Sequence, residues 1–129
     1  MEAAKSAANE EMQENKHTDY IYMVTGDRLV ISMNAELDHH LADEMRDVID
    51  TSIEERGVRH LIFDFSKISF MDSSGIGLIM GRYKKLQENG SISIAGANDS
   101  IQRIILISGL HKLVHTCKDV SQAAKNIEK

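Results

Sequence analysis

Apolar positions recur along this chain in two periods, and the switches between them mark out the elements. Tyr20 to Val24 and Leu29 to Asn34 read as paired strands, with Leu29, Ile31 and Met33 on one face. Thr25-Gly26-Asp27-Arg28 between them is a turn in which Gly supplies a cheap positive φ. Leu41, Met45, Val48, Ile49, Ser52 and Ile53 then make a helical stripe, with Asp38 placed to cap its start and Gly57 to end it. Leu61 to Phe65 is apolar on both faces, which predicts a central strand covered by helices. Ile76, Ile79, Met80, Tyr83 and Leu86 return to helical spacing, so a helix is expected from Ser74 to Gln87, closed by Asn89-Gly90. Ser91 to Ala95 is a fourth strand. Ile101, Ile104, Ile105 and Ser108 make a third helix with its stop at Gly109, and Leu113 to Thr116 a last strand. Val120, Ala123, Ala124 and Ile127 form a terminal helix lying on the sheet. The order ββαβαβαβα predicts an α/β sandwich, a mixed β-sheet with helices packed on it.

Residues 1–18 stand outside this pattern. They are polar, with almost no large apolar side chain, and cannot bury enough surface to offset ordering entropy. A flexible or fraying lead is expected there, followed by a single domain over 19–129. The 129 residues, 42% of them hydrophobic, are enough for one core and leave little room for a second. A formal net charge of -5 argues against nucleic acid, whose phosphates demand clustered Lys and Arg. No apolar run approaches the roughly 20 residues of a membrane span, and Met1-Glu2-Ala3-Ala4-Lys5 lacks the apolar core of a secretory signal. A cytoplasmic protein without membrane contact is expected. Cys117 is the sole cysteine and, beside Val114 and His115, reads as a small core residue.

The candidate chemistry lies in Phe70-Met71-Asp72-Ser73-Ser74-Gly75-Ile76-Gly77, where the strand pattern becomes a helix pattern. Serines at a helix start can cap free backbone N–H groups, and a phosphate added there would meet unpaired donors and the positive end of the helix dipole. Gly75 and Gly77 either admit a partner's backbone or allow tight packing inside the domain. Glu36, Asp38, His39 and His40 bring two carboxylates and two imidazoles together, yet adjacent helical histidines point about 100° apart and poorly share one metal ion. A serine hydrolase built on Ser73 or Ser74 with His111 or His115 lacks the Gly-x-Ser-x-Gly elbow. Arg82, Lys84 and Lys85 read as a solvated helix face.

Three stretches, Glu36-Leu37-Asp38-His39-His40, the Asp72-Ser73-Ser74-Gly75 segment and Gly81-Arg82-Tyr83-Lys84, together resemble the anti-sigma factor antagonists, above all the sporulation sigma-F branch. The resemblance runs from about Tyr20 to Val120, with Ala35 standing where the family usually has Gly. It implies the sulfate-transporter and anti-sigma-factor-antagonist (STAS) fold. It also implies that Ser73 is phosphorylated by a partner that is both serine kinase and anti-sigma factor, bound to ATP or ADP. On this reading the unmodified protein binds that partner and frees the sigma factor, and a PP2C-type phosphatase reverses the modification. Glu36, Asp38, His39, Asp72, Ser74, Gly75 and Gly77 would form the partner-binding face of a monomer that needs no cofactor of its own and catalyses nothing. A STAS-type sensory or scaffold module, stressosome-like or sensing nucleotide or anion, is the alternative on the same fold.

Overall fold

The computed structural model describes residues 10–14, 19–86 and 89–128. Along the chain lie β1 (Glu10–Glu14), β2 (Tyr20–Thr25), β3 (Arg28–Met33), α1 (His39–Arg56), β4 (His60–Asp64) and α2 (Ser73–Leu86). Then follow β5 (Ser91–Ala95), α3 (Asp99–Ser108), a 3-10 turn at Leu110–Lys112, β6 (His115–Cys117) and α4 (Val120–Glu128).

The strands form one mixed sheet in the order β1-β2-β3-β4-β5-β6. β1, β2 and β3 pair antiparallel, and β3 to β6 run parallel. The register lines up apolar rows across three strands: Leu29, Leu61 and Ile92 in one, Ile31, Phe63 and Ile94 in the next. These residues point to the same face, where Leu41, Met45 and Ile49 of α1, Leu78, Ile79 and Leu86 of α2, and Ile101 and Ile105 of α3 complete one core. Each such side chain contributes about 1.5–3 kcal/mol on burial. Each parallel crossover steps one strand further in the same direction. Since crossovers share one hand, α1, α2 and α3 fall on the same face. α4 follows the last strand and covers the other face, where Ala123 packs on Ile62 and Ala95, with Val30, Cys117 and Val120 around them. Cys117 is half-buried there, its Sγ 3.6 Å from the Asn126 amide nitrogen.

The caps explain where α1 and α3 begin and end. Asp38 accepts a hydrogen bond from the Leu41 N–H at 2.9 Å, and Gly57 closes α1 in the left-handed conformation at φ 72°. Asn98 caps α3 in the same way through Ile101, and Gly109 ends it.

Two expectations need correction. Part of the lead expected to be flexible is a strand: Glu10–Glu14 pairs antiparallel with β2, from Glu10 opposite Thr25 to Glu14 opposite Ile21. Its sequence favours no strand, but the outer edge of β2 offers unpaired backbone groups, and backbone pairing needs little from side chains. Residues 1–9 and 15–18 of that lead lie outside the described residues. The last strand starts at His115 rather than Leu113, because the 3-10 turn carries the chain on to Leu113 and Val114. There Val114 donates its N–H to the Leu110 carbonyl and buries its side chain from a turn, not a strand.

Candidate functional site

The parallel strands β3 and β4 deliver two loops to the same end of the sheet, the carboxyl end where open α/β sheets place their sites. The loops are joined by a parallel bridge between Leu37 and Met71, and Asp72 donates its N–H to the Leu37 carbonyl at 3.3 Å. The segment carrying Glu36 and Asp38 is therefore fastened to the segment carrying Asp72 and Ser73.

Ser73 is the first residue of α2 and is exposed; Ser74 is half-buried. Neither hydroxyl has a hydrogen-bond partner among the described residues, so none of the described histidines is placed to activate them as nucleophiles. The expected serine cap is corrected: Asp72 caps the helix, its Oδ1 accepting from the Ser74 N–H at 2.8 Å and its carbonyl from the Gly75 N–H at 3.0 Å. A carboxylate outcompetes a hydroxyl here because it brings a full charge to the positive helix end.

The two glycines divide. A Cβ on Gly75 would lie 2.9 Å from Leu37 Cδ2 and 3.0 Å from Met71 Sδ, so this buried residue serves the packing of the two loops. A Cβ on Gly77 would meet nothing within 4 Å, and that residue is exposed. Gly77 stays on the open surface and Gly75 does not.

Glu36 is exposed but engaged. Its Oε1 accepts the N–H groups of Ser69 at 3.1 Å and Phe70 at 2.9 Å, and its Oε2 accepts the Ser69 hydroxyl at 2.6 Å. The Ser69 hydroxyl is the largest cause holding this carboxyl below the ordinary glutamate range; desolvation opposes it, and the Phe70 and Ser69 N–H groups add to it. On the other side of the loop, the Asn98 amide nitrogen approaches the carbonyls of Ile68 at 3.5 Å and Ser69 at 3.4 Å. His39 and His40 are exposed on the first turn of α1 and face different acids, Asp43 at 3.5 Å and Glu44 at 3.2 Å.

Arg82, expected on a solvated face, is 7% exposed. Its Nε lies 3.0 Å from Asp50 Oδ1 on α1; neither atom makes a directed hydrogen bond among the described residues, so the attraction is coulombic. Burial pulls the guanidinium below its ordinary pKa, and Asp50 opposes the shift. Lys85 adds an ion pair to Glu54, cross-linking the same helices.

Ser69, Phe70, Asn98 and Asp50 were missed as site or support residues. Asn98 carries a readable signal, a capping residue three positions before Ile101. Phe70, 53% exposed, has none: a lone aromatic between a strand and a helix reads as core.

The site is thus an exposed serine at a carboxylate-capped helix start, on a mixed sheet covered by helices on both faces. The chain matches the STAS domain over residues 18–123 and belongs to that family. It is 37% identical over 87 residues to an anti-sigma F factor antagonist of Paenibacillus polymyxa, covering 67% of this chain and 74% of that one. Its fold is similar to the solved structure of the anti-sigma factor antagonist SpoIIAA in its unphosphorylated form (TM-score 0.67, 26% identity, 91% of this chain and 94% of that one). The phosphorylated form of SpoIIAA from Bacillus, a cell fate determinant, gives TM-score 0.67 and 28% identity over 92% and 98% of the two chains.

Proposed function

We propose that this chain is an anti-sigma factor antagonist whose Ser73 accepts the phosphate in a partner-switching circuit. The observation that carries this reading is the exposed Ser73 hydroxyl on the first residue of α2, without a hydrogen-bond partner among the described residues and next to the capping Asp72. The similarity to SpoIIAA, a protein solved in both unphosphorylated and phosphorylated forms, supports it.

Unmodified, the face formed by Asp38, His39, Asp72, Ser73, Ser74 and Gly77 docks on the anti-sigma factor, a serine kinase carrying ATP or ADP, and the sigma factor is released. A phosphate on Ser73 adds between one and a half and about two negative charges beside Asp72. The unpaired donors and positive dipole end of α2 tolerate that charge within the domain. A partner surface matched to a neutral hydroxyl does not. A loss of about 3 kcal/mol weakens binding more than a hundredfold. A PP2C-type phosphatase restores the hydroxyl. The chain itself catalyses nothing in this cycle, needs no cofactor, and acts in the cytoplasm as a monomer in the sporulation sigma-F pathway. Among the described residues no helix is long and apolar enough to cross a membrane.

The test is phosphosite mapping by intact-mass and peptide mass spectrometry after incubation with the cognate anti-sigma kinase and ATP. A single phosphate on Ser73 accompanied by loss of the complex is expected. An active kinase that leaves the folded protein unmodified would sink the reading in favour of a sensory or scaffold module.

A further inference from the structure

Glu36 belongs by sequence to the face expected to touch the partner, yet both of its carboxylate oxygens are already used inside the chain. Three donors from two consecutive residues, Ser69 and Phe70, converge on them at 2.6 to 3.1 Å. Those residues lie on the irregular stretch between β4 and α2, whose other ties fall on its remaining residues, such as the Phe65 N–H to the Ala95 carbonyl and the Asp72 N–H to the Leu37 carbonyl. Ile68 donates its N–H to Phe65, Asn98 reaches two carbonyls at 3.4 and 3.5 Å, and Met71 joins the bridge to Leu37. Ser69 and Phe70, three and two residues ahead of Asp72, thus have their N–H groups fixed by one side chain from another loop.

We infer that Glu36 is a positioning residue: its carboxylate clamps Ser69 and Phe70, and so presets the path of the loop that presents Phe70, Asp72 and Ser73 to a partner. Without the clamp the loop must be ordered at the moment of binding, and that cost is subtracted from affinity. The geometry suits a carboxylate in particular. Two oxygens accept three hydrogens, and charge-assisted bonds are about twice as strong as neutral ones. Glutamine keeps one acceptor oxygen for the two N–H groups but offers an NH2 where the Ser69 hydroxyl donates. Aspartate is one methylene shorter. Ser69 acquires a role with it, as the second half of the clamp. The functional part of this inference rests on the proposed partner contact; the clamp itself does not.

The experiment therefore has two arms. In the free protein, amide hydrogen exchange and amide chemical shifts at Ser69 and Phe70 are compared among the unmodified chain, Glu36→Gln, Glu36→Ala and Ser69→Ala. Exchange at both amides should accelerate about tenfold or more in Glu36→Ala and less in Glu36→Gln, with the α1 and α2 amides unchanged, since local opening governs such exchange. Unaltered Ser69 and Phe70 amides in a folded Glu36→Ala chain would overturn the clamp, whatever the partner does. Should Glu36→Ala fail to fold, Glu36→Gln and Ser69→Ala carry the same readout.

In the second arm, the affinity for the anti-sigma kinase and its kcat/KM toward the chain are measured for Glu36→Ala, Ser69→Ala and the double variant. A clamp predicts that Ser69→Ala reproduces part of the loss and that the double variant is no worse than Glu36→Ala, because the two act as one unit. A Ser69→Ala chain that binds as the unmodified one does while Glu36→Ala loses affinity, or two losses that add up in the double variant, would make Glu36 a direct contact and overturn the positioning role. If the unmodified chain neither bound the kinase nor accepted phosphate, the proposed function would fail while the exchange data still judged the clamp.

Discussion

Arg82 Nε and Asp50 Oδ1 face each other at 3.0 Å across the α1–α2 interface, with Arg82 almost wholly removed from solvent. A buried charge without its counter-charge is far more costly than the pair is valuable. Asp50→Ala should therefore destabilise the fold by about 3 kcal/mol, whereas Asp50→Leu with Arg82→Met should recover most of the loss. Urea midpoints of Asp50→Ala and of the Asp50→Leu/Arg82→Met double variant check this. Equal losses in the Asp50→Ala and the double variant would show that packing, not charge, dominates.

Gly75 and Gly77 should respond in opposite ways to the same methyl group. Gly75→Ala puts a carbon against Leu37 and Met71, so the bridge between the two loops must give way, at a cost of about 1–3 kcal/mol. Gly77→Ala adds its methyl in open space within a helix and should leave stability unchanged or raise it by about 1 kcal/mol. Thermal denaturation of both variants decides. If Gly77→Ala alone weakens kinase binding, Gly77 lies in the contact.

Asp38 should be separable into cap and contact. Asp38→Ala removes the acceptor of the Leu41 N–H and should cost about 1 kcal/mol, while Asp38→Asn should keep most of the cap. Binding is then compared at equal foldedness. A loss of affinity in Asp38→Asn with stability intact would assign the charge to the partner face.

Ser73→Ala should fold and bind as the unmodified chain does but accept no phosphate, because Asp72 and not Ser73 caps α2. Ser73→Asp brings about one charge where phosphate brings up to about two, so its affinity loss should be smaller, about tenfold rather than a hundredfold. Calorimetric titration against the anti-sigma factor measures both. Phosphate on the Ser73→Ala chain would move the acceptor to Ser74.

Glu36 should leave a pH signature in the loop. Its carboxyl titrates below the ordinary range, the Ser69 hydroxyl being the largest cause, so the folded pKa lies under the unfolded one. The stabilisation it brings is complete above the unfolded value of about 4.3 and is lost as pH falls through the lower, folded value. Because the side chain is exposed, the effect on global stability is small, and the amide shifts of Ser69 and Phe70 between pH 6 and pH 2.5 are the sensitive measure. Shifts that titrate at an ordinary glutamate pKa would contradict it.

Periodicity exposed most of the architecture because each buried stripe obeys one period: Leu29, Ile31 and Met33 alternate, while Leu41, Met45 and Ile49 recur every four. The caps Asp38, Gly57 and Gly109 were legible for the same local reason. Relationships between elements were not. Arg82 reads as solvated on its own helix and becomes buried only when α1 sets Asp50 opposite it. Gly75 fits either a partner or a neighbour until Leu37 occupies the space above it. β1 exists through pairing with the edge of β2, which its own five residues do not announce. At the site, Ser73 stood out from its neighbours, but Glu36 was read only as part of the partner-binding face, because Ser69 and Phe70 are more than thirty residues away in the chain.

The succession of strands across the sheet follows their order in the chain. Each new strand is laid against the outermost edge left by the one before it, so none has to be inserted between two that are already paired. Assembly can then run from the first residues to the last while the chain is still being made. The loops bearing Glu36 and Ser73 meet as soon as β3 and β4 are side by side. The final helix arrives after those two loops have met, and closes the opposite face without disturbing them.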